Sequence, residues 1–166
     1  MLFRSRARYC AGDAGVGATF ERIRESILTR SRDPRVLAGE IVAMREKLHA
    51  AHPNRSELFD LKHDRGGMID IEFAVQCLVL GFSSRHPSLT ANLGNIALLR
   101  MSAEHGLVPA GLAERCRNAY RDFRRMQHAL RLGGAPYARV PRDAVGREIE
   151  AVKALWRAVL SPAAGT

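Results

Sequence analysis

The fold is decided by one largely apolar stretch of the sequence, Gly66-Gly67-Met68-Ile69-Asp70-Ile71-Glu72-Phe73-Ala74-Val75-Gln76-Cys77-Leu78-Val79-Leu80-Gly81-Phe82-Ser83-Ser84. No charged residue occurs from Phe73 to Ser84, although 26% of the whole chain is charged. The apolar residues leave no polar stripe at the helical period, which is typical of a buried helix. The segment is too short to cross a membrane. We therefore predict a central helix that other helices cover.

The start of this helix carries the most informative polar residues of the chain. Two glycines, Gly66 and Gly67, precede two carboxylates, Asp70 and Glu72. Carboxylates in the first turn are favoured by the helix dipole and by the free backbone N–H groups. Glycines permit a left-handed or closely approached backbone just before the helix. The pattern predicts a polar mouth at the beginning of the central helix.

The composition predicts an all-α fold. The chain has 166 residues, of which 46% are hydrophobic and only 6% aromatic, so it is long enough to bury one core. Ala, Arg and Leu are the commonest residues, a composition that favours helices packed on helices. No segment shows a competing strand pattern. We predict a bundle of about six helices around a buried central one.

Helix-capping residues and apolar periodicity place the flanking helices. Asp13 is expected to cap a helix that runs to about Arg30, and Asp33 with Pro34 to begin a second that runs to about Ala51. Further helices are expected near residues 93–105, near 112–133 and after Asp143. The expected core positions of the first two helices recur every three or four residues: Val16, Phe20, Ile23 and Ile27, then Leu37, Ile41, Met44 and Leu48. Arg45, Glu46 and Lys47 are expected on or near the solvent side.

The charge and the cysteines bound the kinds of partner and compartment. A formal charge of +9 suggests an acidic partner, but most arginines are spread along several helices, so a dedicated nucleic-acid surface is not expected. The three cysteines, Cys10, Cys77 and Cys116, form neither a metal-ligand spacing nor a disulfide framework. The residues before the first helix show no apolar segment of the kind found in a signal peptide, so none is expected. These features predict a cytoplasmic protein.

The carboxylates at the helix mouth allow three interpretations. A shared Mg²⁺ is disfavoured, because residues two apart on a helix point about 200° from each other. In the simplest interpretation, one carboxylate accepts hydrogen bonds from backbone or arginine and holds the preceding loop. The third interpretation is a nucleotide or partner-domain surface formed by Lys62, Arg65, Gly66, Gly67, Asp70 and Glu72. No catalytic motif and no metal site is predicted in the chain.

The central stretch and its flanks resemble a known family. The run Phe59-Asp60-Leu61-Lys62-His63-Asp64-Arg65-Gly66-Gly67-Met68-Ile69-Asp70-Ile71-Glu72-Phe73 is similar to the pattern D-x-K-x-x-x-G-G-I-x-D-I-E-F of bacterial glutamine synthetase adenylyltransferase, a bifunctional adenylylating and deadenylylating enzyme. Other similar segments are Arg6-Ala7-Arg8-Tyr9, Met44-Arg45-Glu46-Lys47, His86-Pro87-Ser88-Leu89 and Ala119-Tyr120-Arg121 with Phe123, Arg124 and His128. The likeness spans nearly the whole chain and is greater to the C-terminal half of that enzyme.

The resemblance implies a function for the complete enzyme. That enzyme transfers AMP from Mg²⁺-bound ATP to a tyrosine of glutamine synthetase, and PII signal protein and glutamine control it. Its catalytic Gly-Ser and Asp-x-Asp pattern does not occur in this chain. The resemblance therefore implies the helical domain alone, with no catalytic residue, and with neither nucleotide nor metal expected to bind to this chain by itself.

The resemblance also implies a division of the chain and a set of partners. Residues 1–12 are expected to be a tail from a nucleotidyltransferase domain, residues 13–160 the helical bundle, and residues 161–166 a disordered tail. The expected partners are glutamine synthetase, PII signal protein and the upstream nucleotidyltransferase domain, with no membrane. The alternatives left open are a basic helical module that binds nucleic acid and a docking scaffold without catalytic role.

Overall fold

Six α-helices make up most of the protein in a computed structural model that describes residues 7–161. They are α1 (Ala14–Leu28), α2 (Pro34–Ala51), α3 (Met68–Phe82), α4 (Asn95–Glu104), α5 (Ala110–Leu132) and α6 (Gly146–Leu160). The predicted all-α fold is confirmed. Of the expected tails, 1–12 and 161–166, residues 1–6 and 162–166 lie outside the described residues.

Helix α3 is the buried centre of the bundle, as predicted. Its buried residues lie all around its circumference and include Phe73, Val75, Leu78 and Leu80. One side joins a core with α4, α5 and α6, in which Leu99, Phe123 and Leu155 are inaccessible to solvent. The other side, with Phe73 and Leu80, joins a smaller core with Leu37 and Ile41 of α2. Because both sides are covered, the helix needs no polar face.

The predicted caps of the first two helices are confirmed. The Asp13 carboxylate accepts a hydrogen bond of 2.9 Å from the Val16 N–H. The Asp33 carboxylate accepts bonds from the N–H groups of Arg35 and Val36, at 2.8 and 3.1 Å. These bonds satisfy N–H groups that have no partner inside the helix. Before α6, by contrast, Asp143 lies in a short 3₁₀ turn, and the helix itself begins at Gly146.

A small strand pair was not expected from the sequence. Phe59–Asp60 (β1) pairs antiparallel with Arg139–Val140 (β2), with Phe59 opposite Val140 and Asp60 opposite Arg139. Two residues are too few to show the alternation that marks a strand in a sequence. The pair ties the loop before α3 to the segment before α6.

The apolar stripe predicted for the core side of α1 lies largely in solvent. Val16 is 68% exposed, Ile23 53% and Phe20 37%, whereas Leu28 at the end of the helix is only 4% exposed. The helix is held to the bundle at its C-terminal end, where Arg32 donates to the carbonyl groups of Leu28 and Leu80, both at 3.1 Å. The prediction of a buried stripe was therefore wrong for most of α1.

Helix α2 corrects two further expectations. Leu37 and Ile41 are buried as predicted, but Met44 is 41% exposed. Arg45, expected near the solvent side, is only 3% exposed. Arg45 therefore belongs to the side of α2 that faces α3.

Among residues 7–161, none of the helices combines the length and the hydrophobicity that a membrane span requires.

Candidate functional site

The loop between β1 and α3 is wound onto the N-terminus of α3. The carbonyl of Leu61 accepts a bond of 2.9 Å from the Met68 N–H, and that of Lys62 accepts one of 3.3 Å from the Ile69 N–H. These carbonyls satisfy first-turn N–H groups in place of a capping side chain, because the residue before the helix is Gly67. The loop and the helix mouth thus form one hydrogen-bonded unit.

Two buried aspartates shape this loop from within. The Asp60 carboxylate accepts bonds from the N–H groups of Lys62 and His63, at 3.0 and 2.9 Å. The Asp64 carboxylate accepts from the Asp60 N–H at 3.0 Å and from the Asn54 side-chain amide at 2.8 Å. Such side-chain bonds to nearby backbone are the usual way in which aspartate stabilises a turn. Neither residue was predicted to have this role.

Arg45 and Asp70 form a buried ion pair at the helix mouth. The Arg45 Nε donates to one Asp70 carboxylate oxygen, and the Arg45 Nη2 donates to the His63 carbonyl at 2.8 Å. The other Asp70 oxygen accepts a bond of 2.6 Å from the Gly66 N–H. Arg45 therefore links α2, the loop and α3. This geometry agrees with the interpretation in which one carboxylate holds the preceding loop.

The two glycines fill positions that a side chain would disturb. Gly66 has a φ of +93°, and a Cβ atom there would stand 2.8 Å from the Ile149 Cγ2. A Cβ atom at Gly67 would stand 2.8 Å from the Leu61 carbonyl oxygen. The left-handed backbone and the close approach of the loop together require glycine.

Glu72 lies on a different side of α3 from Asp70. Its carboxylate accepts a bond of 2.9 Å from the Tyr120 hydroxyl, which belongs to α5. Burial raises the pKa of Tyr120, and the Glu72 carboxylate raises it further. Because the two carboxylates are engaged separately, they do not fit a shared Mg²⁺ ion. Within residues 7–161, no three His, Cys, Asp or Glu side chains form a group that could hold a metal.

Arg65 and Lys62 border two different clefts. Arg65 is exposed and forms an ion pair with Glu46 at 2.7 Å. It lines a cleft of about 400 Å³, which we call the α2–α6 cleft; the other residues that line it are Arg45, Asp70, Glu150, Lys153, Trp156 and Arg157. Lys62 lines a second cleft of about 260 Å³ with His52, His63 and Arg139 among others. The six predicted residues therefore share one loop and helix mouth, but they do not converge on one pocket.

The second cleft contains a histidine whose titration is perturbed. His63 stacks on His52 with ring centroids 4.4 Å apart, and its Nδ1 lies 3.3 Å from an Asp60 carboxylate oxygen. Burial lowers the pKa of His63, although the nearby Asp60 carboxylate opposes that effect. The neutral imidazole is therefore favoured in the folded protein.

Sequence reasoning missed Arg45 and Tyr120 as parts of this site. Arg45 follows Ile41 by four residues, so it continues the core stripe of α2. A charged residue at a core position is a signal for a buried partner, because an unpaired charge is costly to bury. No comparable signal marks Tyr120 as the partner of Glu72.

Comparison with known proteins covers most of the chain. Residues 41–154 match the family model described as GlnD PII-uridylyltransferase. The relatives include the bifunctional glutamine synthetase adenylyltransferase/adenylyl-removing enzymes of Bordetella bronchiseptica, 56% identical over 94% of this chain, and of Burkholderia mallei, 57% identical over 93%. The enzyme of the same name from Aromatoleum aromaticum is 53% identical over 96% of this chain.

This chain spans about 17% of the length of each of these three relatives. The match includes the loop, the helix mouth and the α2–α6 cleft, which all lie within residues 41–154 apart from Trp156 and Arg157. The chain therefore belongs to the family of the GlnD PII-uridylyltransferase model, and within it to the group of bifunctional glutamine synthetase adenylyltransferase/adenylyl-removing enzymes.

Proposed function

We propose that this chain is the helical domain of the C-terminal half of a glutamine synthetase adenylyltransferase and that it positions and regulates the catalytic unit. Its relatives carry the name of that enzyme, and the chain spans about 17% of their length. In this proposal, residues 13–160 are the helical domain, residues 1–12 lead from a nucleotidyltransferase domain, and residues 161–166 are a tail.

The complete enzyme, in this proposal, acts in the cytoplasm and transfers AMP from ATP to a tyrosine of glutamine synthetase. Its Mg²⁺ ion and ATP belong to the nucleotidyltransferase domain. Glutamine synthetase is the substrate protein, and PII signal protein is a regulatory partner. The helical domain supplies no group to the bond-making step.

The observation that carries this proposal is the state of the two carboxylates at the helix mouth. Asp70 is bonded to Arg45 and Gly66, and Glu72 to Tyr120, so both are engaged in holding the fold. A nucleotidyl transfer needs carboxylates that are free to bind metal. A structural role for both residues supports a domain that orients a catalytic partner.

The surface proposed to meet that partner is the rim of the loop. Lys62 and Arg65 are exposed there, whereas Gly66, Gly67 and Asp70 beneath them are buried. The buried ion pair holds the loop in place without help from its exposed residues. The rim can therefore present two cations to another domain in a preorganised geometry.

The first experiment tests the division of labour. The chain is incubated with glutamine synthetase, Mg²⁺ and ATP labelled in its α-phosphate, beside the full-length enzyme as positive control. We expect label on glutamine synthetase only with the full-length enzyme. Transfer by the chain alone at a comparable rate would overturn the proposal.

The second experiment tests the rim in the full-length enzyme. The double variant Lys62→Gln and Arg65→Gln should lower adenylylation at least tenfold while the circular dichroism spectrum stays unchanged. Arg125→Gln, which removes an exposed cation of α5, is the matched control. Equal activity of the double variant and the control would show that the rim does not meet the catalytic unit. A pull-down with the chain as bait tests the alternative of a docking scaffold, because a scaffold would retain glutamine synthetase or PII signal protein.

A further inference from the structure

The α2–α6 cleft has an uneven charge. Four cationic residues line it, Arg45, Arg65, Lys153 and Arg157, against two carboxylates, Asp70 and Glu150. Glu46 lies outside the lining and pairs with Arg65. The cleft is about 400 Å³, which is within the usual range of about 300–1,000 Å³ for small-ligand sites.

One face of α6 supplies two of these four cationic residues. Lys153 and Arg157 stand four residues apart, so they lie on the same side of the helix. Lys153 pairs with Glu150 at 3.0 Å, and both side chains are about half exposed or more. Arg157 forms no ion pair with any residue of the range 7–161. Exposed ion pairs contribute about 0–1 kcal/mol, so Lys153 and Arg65 can exchange their partners for a bound anion at little cost.

One residue that lines the cleft, Arg45, has a buried hydrogen-bond donor without an acceptor, and a bound ligand could supply that acceptor. Arg45 is only 3% exposed, and its Nε and Nη2 atoms already donate to Asp70 and His63. Its Nη1 is buried and has no hydrogen-bond partner within the described part of the chain. A buried N–H group without an acceptor is costly, and the acceptors that guanidinium groups prefer are carboxylate and phosphate oxygens.

We propose that the α2–α6 cleft is a binding site for a phosphate group. Arg45 contributes a donor from the buried end, Lys153 and Arg157 contribute charge from α6, and Arg65 contributes charge from the loop. A phosphate carries more negative charge than a carboxylate and accepts from more directions, which suits cations that arrive from three different elements. The inference stands on the cleft alone and does not depend on the proposed function.

The cleft contains its own reporter. Trp156 lines it and is the single tryptophan of the chain. The chain is titrated with inorganic phosphate, with pyrophosphate and with ATP, each against sodium chloride of the same ionic strength. Tryptophan fluorescence and titration calorimetry follow binding. We expect a saturable signal with one or more of the three phosphate compounds, and their order of affinity distinguishes free phosphate from a nucleotide as the source.

Two matched variants test the location. Arg157→Gln removes an exposed cation of the cleft and should weaken binding about tenfold, the usual effect of losing one charge-assisted hydrogen bond. Arg125→Gln on α5 removes an exposed cation outside the cleft and should leave the affinity unchanged. Absence of saturable binding in calorimetry, or equal weakening by both variants, would overturn the proposal. If water were the only partner of the Arg45 Nη1, calorimetry would show no saturable binding.

Discussion

At the scale of single residues, the buried Arg45–Asp70 ion pair connects three parts of the chain. Its two side chains are 3% and 7% exposed, so neither charge can turn to water. Breaking such a pair on one side leaves an uncompensated buried charge, and this is the costly event rather than the loss of the attraction itself. Because Arg45 also bonds the His63 carbonyl, the same loss would loosen the loop.

Arg45→Met is expected to lower the free energy of unfolding by about 3–5 kcal/mol, because Asp70 stays buried without its partner. Urea denaturation followed by circular dichroism measures the change. Arg65→Met is the matched control, since its pair with Glu46 is exposed and should cost less than about 1 kcal/mol. An equally small effect of both variants would show that Asp70 does not rely on Arg45.

At the scale of elements, the mouth of α3 and the free side of α1 are the two informative regions. The mouth of α3 is dense, because the backbone of the loop approaches it closely at Gly66 and Gly67. Helix α1 is the opposite, since its apolar residues Val16, Phe20 and Ile23 stay in contact with solvent. We therefore expect substitutions at the mouth of α3 to destabilise the protein and substitutions of the exposed apolar residues of α1 to have little effect.

Gly66→Ala should destabilise the chain by at least about 2 kcal/mol, because the left-handed backbone and the contact with Ile149 both oppose a Cβ atom. Gly39→Ala in α2 is the control, since nothing lies within 4 Å of its Cβ position. That control should stabilise the chain by about 0.5–1 kcal/mol through helix propensity. Thermal unfolding compares the two, and a stable Gly66→Ala variant would contradict the described loop.

Substitutions along α1 should differ sharply between its two ends. Ile23→Ser is expected to change the free energy of unfolding by less than about 0.5 kcal/mol, because Ile23 is 53% exposed. Leu28→Ala should cost about 2–5 kcal/mol, because Leu28 is 4% exposed and packs in the smaller core. A large effect of Ile23→Ser in denaturant titrations would mean that the stripe is covered in solution.

At the scale of the whole molecule, α3 separates two cores and is covered by both. The larger core joins α3 to α4, α5 and α6, and the smaller joins it to α1, α2 and the C-terminal end of α6. Cys116 lies in the larger core and Cys77 in the smaller one, whereas Cys10 is exposed. The three thiols therefore report separately on the two cores and on the surface.

The native chain should react with Ellman's reagent at one thiol at pH 8, and at three in denaturant. Burial raises the pKa of Cys77 to about 11 and that of Cys116 to about 12, so neither forms the reactive thiolate at that pH. Cys10→Ser should abolish the fast native reaction. Rapid labelling of two or three thiols in the native chain would indicate that one of the cores is open.

The sequence by itself determined the elements whose signals are local. A run without charge can be satisfied only by burial, so α3 was identifiable, and Asp13 and Asp33 cap their helices through residues two or three positions away. The polar mouth of α3 was also visible, because glycines and carboxylates stand next to each other in the chain. These features depend on neighbours along the backbone, which a sequence lists directly.

Only the tertiary structure decided which groups pair and which apolar faces are covered. Asp70 and Arg45 are 25 residues apart, and Glu72 and Tyr120 are 48 apart, so nothing in either segment names its partner. Periodicity located the apolar stripe of α1, but a stripe shows only which side is apolar and not whether another element lies against it. The burial of Arg45 and the exposure of Val16 have the same cause, since both depend on where neighbouring helices pack.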